Sequence, residues 1–111
     1  MARETQKRGL TVSVLVIAKF QGDTQVFRQS LADRGDEFAK YAESAQAAGG
    51  IHHRFGVGDD VVVVVDEWES VGHFERFFSD PNLQAFIGSV GAAAMPPDVT
   101  IVEAVSSADQ Y

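Results

Sequence analysis

Cysteine is missing from all 111 residues. Its absence removes disulfide staples, thiolate nucleophiles and thiolate metal ligands in one step. Basic residues are scarce as well: nine Lys and Arg stand against sixteen Asp and Glu, a formal charge of -7. Nucleic acid needs a basic face from which counterions are released, so that class of partner is excluded, and anionic membrane surfaces are disfavoured for the same reason. No apolar run is long enough to span a bilayer. Lys7-Arg8 ahead of the run Leu10 to Ala18 superficially resembles a secretory signal. Lys19-Phe20 follows where a small-residue cleavage site belongs, so the run reads as a first strand and the protein as cytoplasmic.

Cofactor signatures are also lacking. Gly56-x-Gly58 has no helix after it and cannot be a dinucleotide fingerprint. The three histidines show no His-x-x-x-His or Glu-x-x-His spacing, so no metal is expected. Neither metal nor organic cofactor is predicted.

What remains is ordinary in bulk, with 45% hydrophobic and 23% charged residues. One domain over 1–111 is expected, with Met1 to Gly9 a loose leader and Ser106 to Tyr111 a polar tail. The most informative stretch runs from Gly49 to Trp68. Ile51-His52-His53-Arg54-Phe55, a Gly56-to-Asp60 turn, and five valines from Val61 to Val65 read as a β-hairpin. Two of the three histidines, an arginine, Asp66, Glu67 and the only tryptophan lie on or beside it.

Thr11 to Phe20 reads as the first strand, apolar on both faces, which demands cover on both. Helices can cover one face, and a partner subunit is the candidate for the other. Asp23 or Thr24 caps a helix running to about Ala48, where Gly49-Gly50 stops it. Phe27, Leu31, Gly35, Phe38, Ala42 and Ala45 form its buried stripe. On the favoured reading Gly35 lets this helix sit close to the sheet. The alternative is a break, with Asp36 capping a second helix. Ser70 caps a short helix carrying Phe74, Phe77 and Phe78, and Asp80-Pro81 starts another with Leu83, Phe86, Ile87 and Val90 inward. Asp98 to Val105 is the last strand. Two β-α-β halves joined by a hairpin predict an α+β, ferredoxin-like β-α-β-β-α-β antiparallel sheet with helices on one face.

From about Val12 to Val105 the chain resembles the dimeric α+β barrel superfamily, and within it the small antibiotic biosynthesis monooxygenases. The resemblance rests on the element order, on the Val61-to-Val65 strand ending Asp66-Glu67-Trp68-Glu69-Ser70, and on Phe74 to Phe78 before Pro81-Asn82-Leu83. It implies a homodimer with sheets paired face to face. Members of that superfamily are diverse: some oxidise polycyclic aromatic hydroquinones without metal or flavin, some degrade haem, and many small relatives have no assigned activity. The haem-degrading branch uses an asparagine on the first strand, a tryptophan on the third and a histidine on the second helix. Trp68 fits, His73 follows it too soon, and the only asparagine is Asn82. That branch is disfavoured.

His52 and Arg54 face one way on their strand, and His53 faces the other with Ile51 and Phe55. One histidine therefore points into apolar surroundings, as a general base near neutral pH or as a hydrogen-bonded core or interface residue. Asp66 is expected opposite Ile51 or His52. The second register would give a His52–Asp66 pair that orients the imidazole. On the catalytic reading His52 or His53 deprotonates a phenol-type small molecule and Arg54 stabilises the oxyanion. Trp68 stacks on the substrate, and Asp66 and His73 complete the site. The competing reading is a non-catalytic homodimer that binds a small apolar ligand or a protein partner.

Overall fold

The computed structural model describes residues 12–111, so the expected leader and Thr11 lie outside the described residues. Eight elements follow in order: β1 (Val14–Gln21), α1 (Thr24–Asp33), α2 (Gly35–Ala47), β2 (Gly50–Val57), β3 (Val61–Trp68), α3 (Val71–Phe78), α4 (Pro81–Ser89) and β4 (Asp98–Glu103). The strands form one antiparallel sheet in the order β2-β3-β1-β4, the ferredoxin-like arrangement. Among the described residues no helix is long and apolar enough to cross a membrane.

The helix starts are set by the expected caps. The Asp23 carboxylate accepts from the backbone N–H groups of Gln25 and Val26, Ser70 Oγ from that of His73, and Asp80 from that of Asn82 with Pro81 following. Each cap satisfies donors that the first helical turn leaves without partners.

Alternation along β1 and β3 divides the sheet into two apolar faces. Val14, Val16, Ala18 and Phe20 share the helix-covered face with Val62, Val64, Asp66 and Trp68. Leu15, Ile17, Val61, Val63 and Val65 lie on the other face, together with Val102 of β4. The covered face carries two separate buried clusters. One joins Phe27, Val62, Phe86 and Val90, and the other joins Val16, Trp68 and Phe74.

The single long helix expected from Thr24 to Ala48 is interrupted. Arg34, with φ -122° and ψ 30°, separates α1 from α2, and Gly35 opens α2 at an exposed position. A Cβ built on Gly35 meets nothing within 4 Å, so close approach to the sheet is not its role. Asp36 sits in the first turn of α2 rather than at its cap, which is Arg34. Leu31, counted on the buried stripe, is 37% exposed, whereas its neighbour Ser30 is buried. The junction is fastened by Arg34, whose guanidinium donates twice to Glu37 at 2.8 Å and to Ser89 Oγ at 2.8 Å, above the Phe86 ring. The hydrogen bond from Arg34 holds the Glu37 carboxyl below its ordinary range. This contribution is present above the normal carboxylate range and is lost as pH falls through the lowered value.

A second glycine position does require the residue. Gly91 follows α4 with φ +110°, its carbonyl accepts from Asp23 N–H at 2.9 Å, and an added Cβ would stand 2.6 Å from Asp23 O. Gly35→Ala is expected to stabilise the fold by about 0.4–1 kcal/mol, because alanine restricts the unfolded chain and meets no obstacle in the folded one. Gly91→Ala is expected to destabilise it by about 1–3 kcal/mol. Urea unfolding of both variants checks the signs.

Candidate active site

Between the sheet and the helices lies a cavity of about 540 Å³, which separates the two buried clusters. Its volume falls within the range of small-molecule sites. Phe27, Phe38, Tyr41, Phe55 and Phe86 wall one end, in edge-on contacts with centroids 4.9–6.1 Å apart and a tilted Tyr41–Phe86 pair at 4.8 Å. Trp68, Phe74, Phe77 and Phe78 wall the other, Trp68 lying 5.3 Å from Phe77 and 6.0 Å from Phe74. Such rings offer flat apolar surface with directional edge-to-face packing, which suits a planar aromatic guest.

Ionisable chemistry on this face is concentrated in one constellation. His53 Nδ1 is 2.6 Å from Asp66 Oδ1, and Trp68 Nε1–H donates to Asp66 Oδ2 at 3.1 Å. Trp68 is 3% exposed, the Asp66 side chain 12% and the His53 side chain 47%. The imidazole therefore stands where the cavity meets solvent, with its carboxylate partner behind it. Phe55 meets the imidazole edge-on, 4.6 Å between centroids.

The register of β2 on β3 brings this pair together. Val57, Phe55 and His53 stand opposite Val62, Val64 and Asp66. The expectation that Asp66 faces Ile51 or His52 is thus corrected: its partner is His53. The strand continues to Val57 instead of turning at Gly56, and an irregularity between Gly50 and His52 absorbs the extra residue so that Gly50 still meets Trp68. His52 pairs with Glu67 and Arg54 with Val65, so strand alternation points their side chains toward the other face of the sheet, although both residues border the rim of the cavity.

His73 is held elsewhere. Its ring packs on Gly49, Nδ1 is 2.6 Å from Ser70 Oγ, and Nε2 is 3.7 Å from Glu69, beside Arg76 in a separate polar hollow. Of the six candidate residues, the structure gathers His53, Asp66 and Trp68 into one site and leaves His52, Arg54 and His73 outside that constellation. Among the described residues no group of three or more His, Asp or Glu is placed to hold a metal ion.

Sequence reasoning missed the cavity-facing roles of Phe27, Phe38 and Phe86. A residue facing a cavity and one facing solid core have the same helical period. The Asp66–Trp68 bond did leave a signal, since residues two apart on a strand share a face.

No family model matches the chain, and no curated protein is similar to it at a significant level. Solved structures do match. The cofactor-independent oxygenase SnoaB from Streptomyces nogalater superposes with a TM-score of 0.61 at 14% identity, covering 89% of this chain and 99% of that one. A monooxygenase from the gene ActVA-Orf6 of Streptomyces coelicolor, in complex with Nanaomycin D, gives 0.63 at 19% identity over 91% and 95%. A protein of unknown function from Nitrosomonas europaea gives 0.58 at 13% over 91% and 97%. The chain therefore shares the α+β, ferredoxin-like fold of the antibiotic biosynthesis monooxygenases, a fold also found in proteins without an assigned activity.

Proposed function

We propose that the protein is a cofactor-independent oxygenase for a planar, phenol-type aromatic molecule, with His53 as its base. The observation that carries this reading is the His53–Asp66 pair, 2.6 Å apart, at the margin of an aromatic-walled cavity. The fold shared with oxygenases of that kind supports it.

The chemistry asks little of the protein. His53 takes the hydroxyl proton of the bound phenol, and Asp66 faces the imidazolium that forms. The resulting anion is electron-rich, and dioxygen is the oxidant. For an anthrone-like substrate one electron passes from the anion to dioxygen, and the two radicals join through a new C–O bond. His53 returns its proton to the peroxide. The O–O bond then breaks as the last hydrogen leaves that carbon, giving a carbonyl and one water and accounting for both oxygen atoms. Aromatic walls keep bulk water from the anion and hold the ring in place.

The same reading includes a homodimer in which a second copy covers the outer sheet face. Leu15, Ile17, Val61, Val63, Val65 and Val102 lie there, with Val65 46% and Val102 45% exposed in the single chain. Monomers rarely leave a contiguous apolar patch of that kind in water.

Oxygen uptake with an anthrone- or hydroquinone-like substrate is expected to exceed the substrate's spontaneous oxidation. His53→Ala should remove that excess by a factor of about 10²–10⁴, the usual contribution of a positioned base. His52→Ala, on the other face, should retain it. A folded protein that quenches the fluorescence of Trp68 with these compounds yet consumes no oxygen would be a binding protein. Sedimentation equilibrium at low micromolar concentration is expected to give the mass of a dimer, and Val63→Lys is expected to shift it toward the monomer.

A further inference from the structure

An imidazole can act as a base into a cavity only if the ring nitrogen facing the cavity is the one without a proton. In His53 the nitrogen next to Asp66 is Nδ1, so the arrangement that frees Nε2 has the proton on Nδ1. An ionised carboxylate enforces this, because it accepts hydrogen bonds and donates none. The carboxylate must also be held with an oxygen toward the ring. Trp68 supplies that hold: its indole N–H is a donor only, and it occupies Asp66 Oδ2 while Oδ1 serves His53.

From this geometry we infer that Trp68 is a positioning residue, whose indole N–H orients Asp66 and thereby sets the tautomer of His53. The inference deepens the proposed function by giving the tryptophan a task beyond contact with a ligand. With its N–H bonded to Asp66, Trp68 offers a substrate only its ring surface. Polar contact with a substrate then comes from other lining residues, His53 and Gln46 among them.

The arrangement has a consequence that separates orientation from mere packing. Asp66→Asn puts an amide in place of the carboxylate. With Trp68 present, the amide oxygen must turn to the indole N–H, which leaves the amide NH₂ facing His53 Nδ1. Nδ1 is then obliged to accept, and the proton moves to Nε2. The variant is locked into the tautomer that cannot act as a base into the cavity. If the indole N–H is also removed, by Trp68→Phe, the amide is free to turn over and Nδ1–H can return.

The test is long-range ¹H–¹⁵N spectroscopy of the histidine rings at a pH where they are neutral, with the His53 signals assigned by their loss in His53→Gln. Wild type is expected to show the proton on Nδ1 and Asp66→Asn to show it on Nε2. The Asp66→Asn/Trp68→Phe double variant should regain a substantial Nδ1–H population. Retention of Nδ1–H in Asp66→Asn would overturn the inference, as would a double variant with the same tautomer ratio as Asp66→Asn. Should Trp68→Phe fail to fold, benzothienylalanine at position 68 keeps the bicyclic shape and deletes only the N–H. The spectra need neither substrate nor turnover, so loss of the tautomer effect and absence of oxygenase activity are distinguishable outcomes. Where activity is present, Asp66→Asn should lower it by up to about 10⁴-fold, the loss known for a catalytic histidine held in the wrong tautomer. The double variant should recover part of it.

Discussion

The register of β2 against β3 is the constraint on which the site depends. Strand side chains alternate with a period of two, so a slip of one residue would exchange every side chain of β2 between the faces. His53 and Phe55 would turn away from the cavity, and His52 and Arg54 would turn into it. The hydrophobic pattern selects against that slip. Phe55 and Val57 pack against the cluster around Phe27 and Phe86, while the outward positions carry His52, Arg54 and Gly56. The irregularity near Ile51 then lets the strand start beside Trp68 without disturbing the pairs beyond it.

Much of the architecture was legible in the sequence because the signals were local and redundant. Asp23, Ser70 and Asp80 marked helix starts, the valine run marked β3, and the two-sided apolar pattern of β1 marked a sheet apolar on both faces. Position 35 was misread because a glycine on a helical stripe has two physical meanings, close packing or a break. The neighbouring conformation of Arg34, which decides between them, leaves no mark in residue spacing. The site was only partly legible. Alternation correctly put His53 apart from His52 and Arg54, but the partner of Asp66 depended on where the hairpin turned. Gly56 and Gly58 both offered a turn.

Five consecutive valines in β3 serve two purposes that a single alternating strand could not combine so simply. Val62 and Val64 belong to the covered face, and Val61, Val63 and Val65 to the outer one. Asp66 interrupts the apolar series on the covered side only after two valines, beside the indole that satisfies it. A carboxylate with little exposure is tolerated when its oxygens have partners, and here Trp68 Nε1–H occupies Oδ2 while the His53 ring stands 2.6 Å from Oδ1. The polar group is thus matched to the end of the strand where a donor and a half-exposed imidazole are both within reach.

The split interior has a calorimetric consequence. Water in a cavity lined by Phe27, Phe38, Phe55, Phe74 and Phe86 finds few hydrogen-bond partners. It is therefore held less favourably than bulk water. A flat guest that displaces it gains dispersion contacts with walls already in place, rather than closing surfaces that were separately hydrated. On the proposed function, association of that kind would release heat near room temperature, and burial of apolar area would lower the heat capacity of the complex. The guest would also bridge the Phe27 and Trp68 clusters, which share no buried member in the free chain.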